Sequence, residues 1–156
     1  MSEIIETADA TGEKYLIFSI LDQLYMFPTK LVGEVALFEA VYPLPLVPPY
    51  VLGIINRYSI PHALFDIGLL LFNTPSPRAK VLVLKDSVDR IAFLVDDVNG
   101  IADVQREQLI PVERGAEGAT DDDRVEAVSA SFTWEGGEAF VLDIHRVLNR
   151  VAEGAT

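Results

Sequence analysis

Cysteine is absent from this chain of 156 residues, which excludes disulfides, thiolate metal sites and cysteine nucleophiles together. Positive charge is scarce: 12 Lys and Arg stand against 24 Asp and Glu, a formal net charge of −12. A field of that sign repels phosphate backbones and anionic lipid, so neither nucleic acid nor direct membrane insertion is expected. Basic protein surfaces stay open as partners. Histidine is nearly missing. His62 and His145 each lie within four residues of an aspartate (Asp66, Asp143), yet neither pair has a third ligand at metal spacing. Gly115 and Gly118 lack the flanking strand and the lysine of a phosphate loop. Asp96 and Asp97 are adjacent, and on a strand adjacent residues point to opposite faces, which makes them poor acid–base partners. Trp134, beside an acidic turn, reads as a packing residue at the edge of a lobe. The expectation is a protein that is not an enzyme, with no catalytic residue, cofactor or metal.

What is present begins with a segment that has no charge at all. From Ala40 to Asn56 no residue is charged, but four prolines between Pro43 and Pro49 break helix geometry and argue against a membrane span. The segment reads as a stiff, extended approach to a buried strand over Tyr50–Asn56. Its apolar surface serves either to dock a partner or to close the core, and the residues alone leave both open. The start of the chain, Met1-Ser2-Glu3-Ile4-Ile5-Glu6, is acidic and lacks a basic stretch followed by an apolar one. A frayed tail over 1–13 and a cytoplasmic location are expected.

Hairpins organise the rest. Apolar β-rich runs flank Asp22-Gln23; the Tyr50–Asn56 run returns through Ile60–Phe65; Lys80–Leu84 pairs with Arg90–Val95; Val125–Trp134 returns through Glu135-Gly136-Gly137-Glu138, where the Gly-Gly pair supplies positive φ. Further strands are expected over Glu34–Phe38 and Val98–Val104. Pro61 demotes its strand to an edge or a bulge. Glu113–Arg124 reads as a solvated loop. Asn73-Thr74-Pro75-Ser76-Pro77 is the candidate boundary between lobes. One echo spans it: Leu64-Phe65-Asp66-Ile67 and Val141-Leu142-Asp143-Ile144 both run from strand to Asp to helix, with the Asp placed as N-cap. In the second copy Ile144, Val147, Leu148 and Val151 make one apolar helix face. Two similar lobes of short hairpin-linked strands favour small barrels.

These motifs, in order over residues 14–149, resemble the CheW-like domain of bacterial chemotaxis adaptors. The resemblance is carried by the Tyr15–Phe27 hairpin, Gly33-Glu34-Val35, Leu44-Pro45 through Pro48-Pro49-Tyr50-Val51-Leu52-Gly53-Ile54-Ile55-Asn56, Leu64-Phe65-Asp66-Ile67, Phe93-Leu94-Val95-Asp96-Asp97-Val98 and Phe140-Val141-Leu142-Asp143-Ile144. It implies a mainly β fold of two tandem SH3-like five-stranded β-barrel lobes, the first over about 14–72 and the second over about 79–142, with a C-terminal amphipathic helix over 143–152. It also implies a cytoplasmic adaptor, recruited to membrane-associated receptor arrays. Such an adaptor couples the cytoplasmic tip of a methyl-accepting chemoreceptor to the regulatory domain of a CheA-type histidine kinase. Partner-binding residues are expected at Glu34, Val35, Val95 and Val98, along a groove between the lobes, and at Asn56, Arg57 and Tyr58. A specialised paralogue for pilus or gliding control, or an array modulator binding one partner, is the nearest alternative. A small-molecule-binding β-barrel is the alternative of another class. The corner departs from the family pattern: Tyr58 stands where arginine is usual, Ser59 where glycine is usual and Ala63 where proline is usual. Arg57 is one position early, and on a regular strand it points to the opposite face unless the turn is bulged.

Overall fold

Strands that are apolar on every residue need a core on each face, and the described residues of this chain supply three cores. The computed structural model describes residues 12–85, 90–112 and 127–155. Eleven strands run β1 Gly12–Ile20, β2 Gln23–Pro28, β3 Val32–Leu37, β4 Val51–Arg57, β5 Ile60–Asp66, β6 Lys80–Leu84, β7 Ile91–Val95, β8 Asp97–Gln105, β9 Ile110–Pro111, β10 Val128–Trp134 and β11 Gly137–Leu142. Two helices follow strands directly: α1, Ile67–Phe72, after β5, and α2, Ile144–Ala155, after β11.

The strands form two sheets, and the architecture is mainly β, as expected. Sheet I has the order β8-β1-β2-β11-β10-β9, and sheet II the order β3-β6-β7-β5-β4. Alternation sorts side chains between the cores. Tyr15, Ile17 and Met26 enter a cluster private to sheet I, while Leu16, Phe18 and Phe27 enter a shared one. Val81, Val83, Ala92 and Leu94 form a cluster private to sheet II, while Leu82, Leu84, Phe93 and Val95 join the shared core. Across it Phe27 of β2 stacks on Phe93 of β7, ring centroids 6.0 Å apart. Complete burial of β7, Ile91 to Val95, follows from its place in the middle of sheet II with a core on each face.

The two sheets divide the chain differently from the expected tandem split. Sheet I takes β1, β2 and β8 to β11, whereas sheet II is built wholly from the intervening stretch, β3 to β7. The expected boundary at 73–77 therefore falls inside sheet II. Its physical role is local: Asp66 accepts from the Leu69 amide at 3.2 Å, capping α1, and from the Ser76 amide at 3.1 Å, drawing the Pro-Ser-Pro turn under the helix. Asn73 closes α1 in the left-handed region, φ 56°. Asp143 makes the matching cap, accepting from His145 N at 2.9 Å and Arg146 N at 3.3 Å. Ile144 and Val147 are buried, and Leu148 and Val151 pack half-buried on the shared core. Complete burial of a valine such as Val147 stabilises by about 2 kcal/mol.

Several boundaries move. Gly12 and Glu13, expected in the tail, begin β1, and the rest of that tail lies outside the described residues. The expected loop at 113–124 and the turn at 86–89 also lie outside them. The strand from Val51 is an edge of sheet II with only Gly53 and Ile55 buried, whereas β5, expected at an edge, runs between β7 and β4. Pro61 is tolerated because β7 pairs only from Ala63 onward, so its missing N–H falls where no ladder partner exists. The last hairpin turns on Glu135 and Gly136, φ 47° and 82°, and Gly137 is already strand.

Candidate partner-binding site

Sheet II has two edges, β3 and β4, and its sequence brings them together. The chain leaving β3 crosses to the far edge, where Tyr42 N donates to Ile54 O and Ile54 N to Tyr42 O, both at 2.8 Å. Gly53 makes this approach possible: its φ is +139°, and a Cβ there would overlap the Tyr42 carbonyl. Below that bridge Arg57, the last residue of β4, reaches Glu34 of β3 with two bonds, Nε to Oε1 at 3.0 Å and Nη2 to Oε2 at 2.6 Å. The fork matches the carboxylate, and both side chains are about three-quarters covered, 25% and 27% exposed. The Arg57 bond holds the Glu34 carboxyl below its ordinary value of 4.5 against the opposing effect of burial. Tyr58 donates its hydroxyl to Glu34 Oε2 at 3.3 Å, long for an O–H bond, so Arg57 carries the link.

Tyr58 and Ser59 are the two loop residues between Arg57 and Ile60, and both have positive φ, 52° and 67°. A two-residue hairpin loop of the type I′ class requires this, and Asn or Gly takes it with less strain than Tyr or Ser. The expectation that Arg57 points away from the corner is not met, and no bulge at the turn is needed. The register is regular through Arg57↔Ile60, with its irregularity back at Val51/Gly53. Arg57 continues the Ile55 face toward β3, while Tyr58 leaves the strand altogether and its side chain is 84% exposed. The Arg57 guanidinium carbon lies 5.5 Å from the centre of the Tyr58 ring, within cation–π range.

Glu34, Arg57 and Tyr58 thus meet at one corner. Asn56 is exposed beside them and lines a shallow pocket of about 180 Å³ with Leu37, Phe38, Tyr42, Ile55 and Arg57. Val35 is exposed on β3. Val95 and Val98 are elsewhere. Val95 is fully buried in the shared core and Val98 is half-buried against it, so the expected groove around them is packed interior. Alternation explains the difference, since Val95 shares its face of β7 with Phe93. Leu37, on β3, and Tyr42, Leu44 and Leu46, after it, are all exposed. The last three lie in the uncharged run from Ala40 whose apolar surface the sequence left open to docking, whereas Leu37 precedes that run and nothing in the sequence marked it.

Polar groups elsewhere have structural work. Asp97 is bonded by Lys80 at 3.1 Å, which lowers its pKa, while Asp96 accepts from the Leu21 amide at 2.8 Å and is raised by burial. Buried His62 contacts the Ile60 carbonyl at 3.1 Å through Nδ1. Among the described residues no group of three or more Asp, Glu or His side chains is placed to hold a metal, and no helix is long and apolar enough to cross a membrane.

Comparison with known proteins agrees with this architecture. Among solved structures, the chain is similar to the scaffolding protein TtCheW from Thermoanaerobacter tengcongensis, with a TM-score of 0.75 over 86% of this chain and 91% of that one. Identity between them is 17%, so the likeness is one of fold. No curated protein sequence matches significantly. The family model of the CheW-like domain matches residues 14–152, and the chain belongs to that family.

Proposed function

We propose that this protein is a non-enzymatic chemosensory adaptor that couples the cytoplasmic tip of a chemoreceptor to a CheA-type histidine kinase by binding alone. The observation that carries the reading is the corner of sheet II. Its ion pair is internally satisfied, and beside it stands an aromatic ring that the fold leaves 84% exposed on a strained turn. Strain and exposure of an aromatic side chain together are characteristic of recognition surfaces. Family membership supplies the class of partner. The small-molecule alternative is not favoured, because the private core of each sheet is filled by its own side chains.

A narrower reading, a specialised paralogue with altered partner choice, is favoured by Tyr58 itself. Arg57 satisfies Glu34, so position 58 offers a ring and one hydroxyl in place of a guanidinium fork. The test titrates wild type, Tyr58→Ala and Tyr58→Arg against kinase regulatory and receptor-tip fragments, cognate and from ordinary CheW systems, at two salt concentrations. Tyr58→Ala should weaken the cognate complex by more than about 1 kcal/mol, with the ratio to wild type unchanged by salt. Tyr58→Arg should regain part of the affinity for ordinary CheW partners. Equal binding by Tyr58→Ala and wild type to every fragment would refute the assignment of this corner.

A further inference from the structure

The chain passes between the sheets twice: from β2 to β3 through Thr29–Leu31, and from β7 to β8 through Asp96 alone. A change of sheet within one residue leaves little backbone to absorb motion, so the bonds of Asp96 set how firmly the sheets are joined there. Its N–H donates to the Ser19 carbonyl of β1 at 3.0 Å. Its carboxyl reaches further. Oδ2 accepts from the Leu21 amide at 2.8 Å, in the two-residue loop between β1 and β2, where Leu21 and Asp22 have φ of 52° and 70°. Oδ1 is buried and meets no donor among the described residues. A buried polar atom without a bond is costly, the more so when it shares a charge. The charged groups that act on this carboxyl add to the cost: Asp22 from the β1–β2 loop and Asp66 from the end of β5, both acidic. Asp97, next in the chain, has Lys80 of β6 at 3.1 Å, whereas among the described residues Asp96 has no such cation. Burial first, and then these like charges, raise the Asp96 pKa above its ordinary value of 3.8 against the opposing Leu21 bond.

We infer that Asp96 is a proton-sensitive joint between the two sheets: the crossing from β7 to β8 is held most firmly when its carboxyl is neutral and slackens when it ionises. Because the carboxyl takes up a proton more readily in the fold than in the unfolded chain, its contribution to stability is complete below 3.8. That contribution is lost as pH rises through the folded value. A residue that only caps the loop behaves in the opposite way, since an ionised carboxylate is the stronger acceptor for the Leu21 amide.

The experiment compares the full-length wild type with Asp22→Asn and with Asp96→Asn, which keeps the size of the side chain and an acceptor for Leu21. In wild type, carboxyl-carbon NMR should place the Asp96 midpoint above 3.8 and above that of Asp97, which its bond to Lys80 lowers. Asp22→Asn should bring the Asp96 midpoint down. From about pH 3 to about pH 7, the melting temperature of Asp96→Asn should rise by about 2 °C relative to wild type. Exchange protection at the Leu21 amide, corrected for the intrinsic rate, should fall over the same range in wild type and hold in Asp96→Asn. An Asp96 midpoint at or below 3.8 in wild type overturns the inference, whether or not either variant folds. A melting-temperature gap that is constant with pH, or that favours wild type increasingly as pH rises, also overturns it, because Asp96 would then be a cap for the loop and no more. So does Leu21 protection that stays constant in wild type.

Discussion

Replacing Arg57 by methionine tests the closure of sheet II most directly. The substitution keeps an unbranched apolar stem and removes the guanidinium, so packing is largely preserved while both bonds to Glu34 are lost. An exposed ion pair is worth about 0–1 kcal/mol, and breaking a fully buried one costs about 3–5 kcal/mol. With the two side chains 25% and 27% exposed, the expected loss lies between, at about 2 kcal/mol. Urea denaturation of wild type, Arg57→Met, Glu34→Gln and the double variant forms a cycle, with an expected coupling of about 1.5 kcal/mol at neutral pH. The sign of the pH dependence is fixed. Arg57 depresses the Glu34 pKa in the folded state, so this contribution is complete above the unfolded value of 4.5 and is lost as pH falls through the folded value. Wild type and Arg57→Met should therefore converge in stability on acidification below that range. Hydrogen exchange at Tyr42 and Ile54 should quicken in Arg57→Met, because their bridge lies on the same seam. A coupling below about 0.3 kcal/mol with unchanged exchange would refute the view that this pair closes the sheet.

Three other outcomes are expected. Ile144→Asp, on the buried face of α2, should destabilise by about 3 kcal/mol or more, and an unchanged melting temperature would mean the helix is not packed on the shared core. Gly100→Ala should cost about 1–2 kcal/mol and shift the fluorescence of Trp134, the one tryptophan, because a Cβ there would lie 3.0 Å from its ring; unchanged emission would show that this contact across sheet I is absent. Calorimetric titration with zinc or magnesium-ATP should give no saturable heat, and stoichiometric binding of either would contradict the non-enzymatic reading.

Features encoded within a few residues were legible in the sequence. The two strand-to-Asp-to-helix endings hold because an N-cap is a local bond between a side chain and amides two or three residues on. The apolar face of α2 is equally local. The division into sheets was not legible, because it depends on pairings of distant strands: β1 with β8 and β3 with β6, antiparallel, and β2 with β11 and β5 with β7, parallel. Nothing in either partner's own sequence marks those pairings. The same limit misplaced Val95: its motif was visible, but β7 is covered on both faces, and the cover over Val95 comes from β2 across the shared core. At the corner, Glu34 and Arg57 were each visible as residues of interest, whereas their bond required knowing that β3 and β4 are the two edges of one sheet.

The corner also shows how a departure from a family pattern leaves the fold intact. Position 58, where the family usually carries arginine, lies in the two-residue loop, and from there its hydroxyl only just reaches Glu34, at 3.3 Å. Position 57 ends the strand and reaches the same carboxylate with better geometry, at 2.6 and 3.0 Å. Moving the guanidinium back by one residue therefore keeps the sheet closed and frees the loop position from that task. A residue that no longer closes the seam is constrained only by its backbone region and by what it meets outside. Tyrosine is not favoured by that region, which accords with the recognition role proposed for it. On the proposed reading, closure and recognition, which a single arginine at position 58 would have to combine, are divided here between adjacent residues. The ring stays linked to the seam through its contact with Arg57 and its weak bond to Glu34. On the proposed reading, a partner pressing on Tyr58 would act on the ion pair that joins the two edges of sheet II.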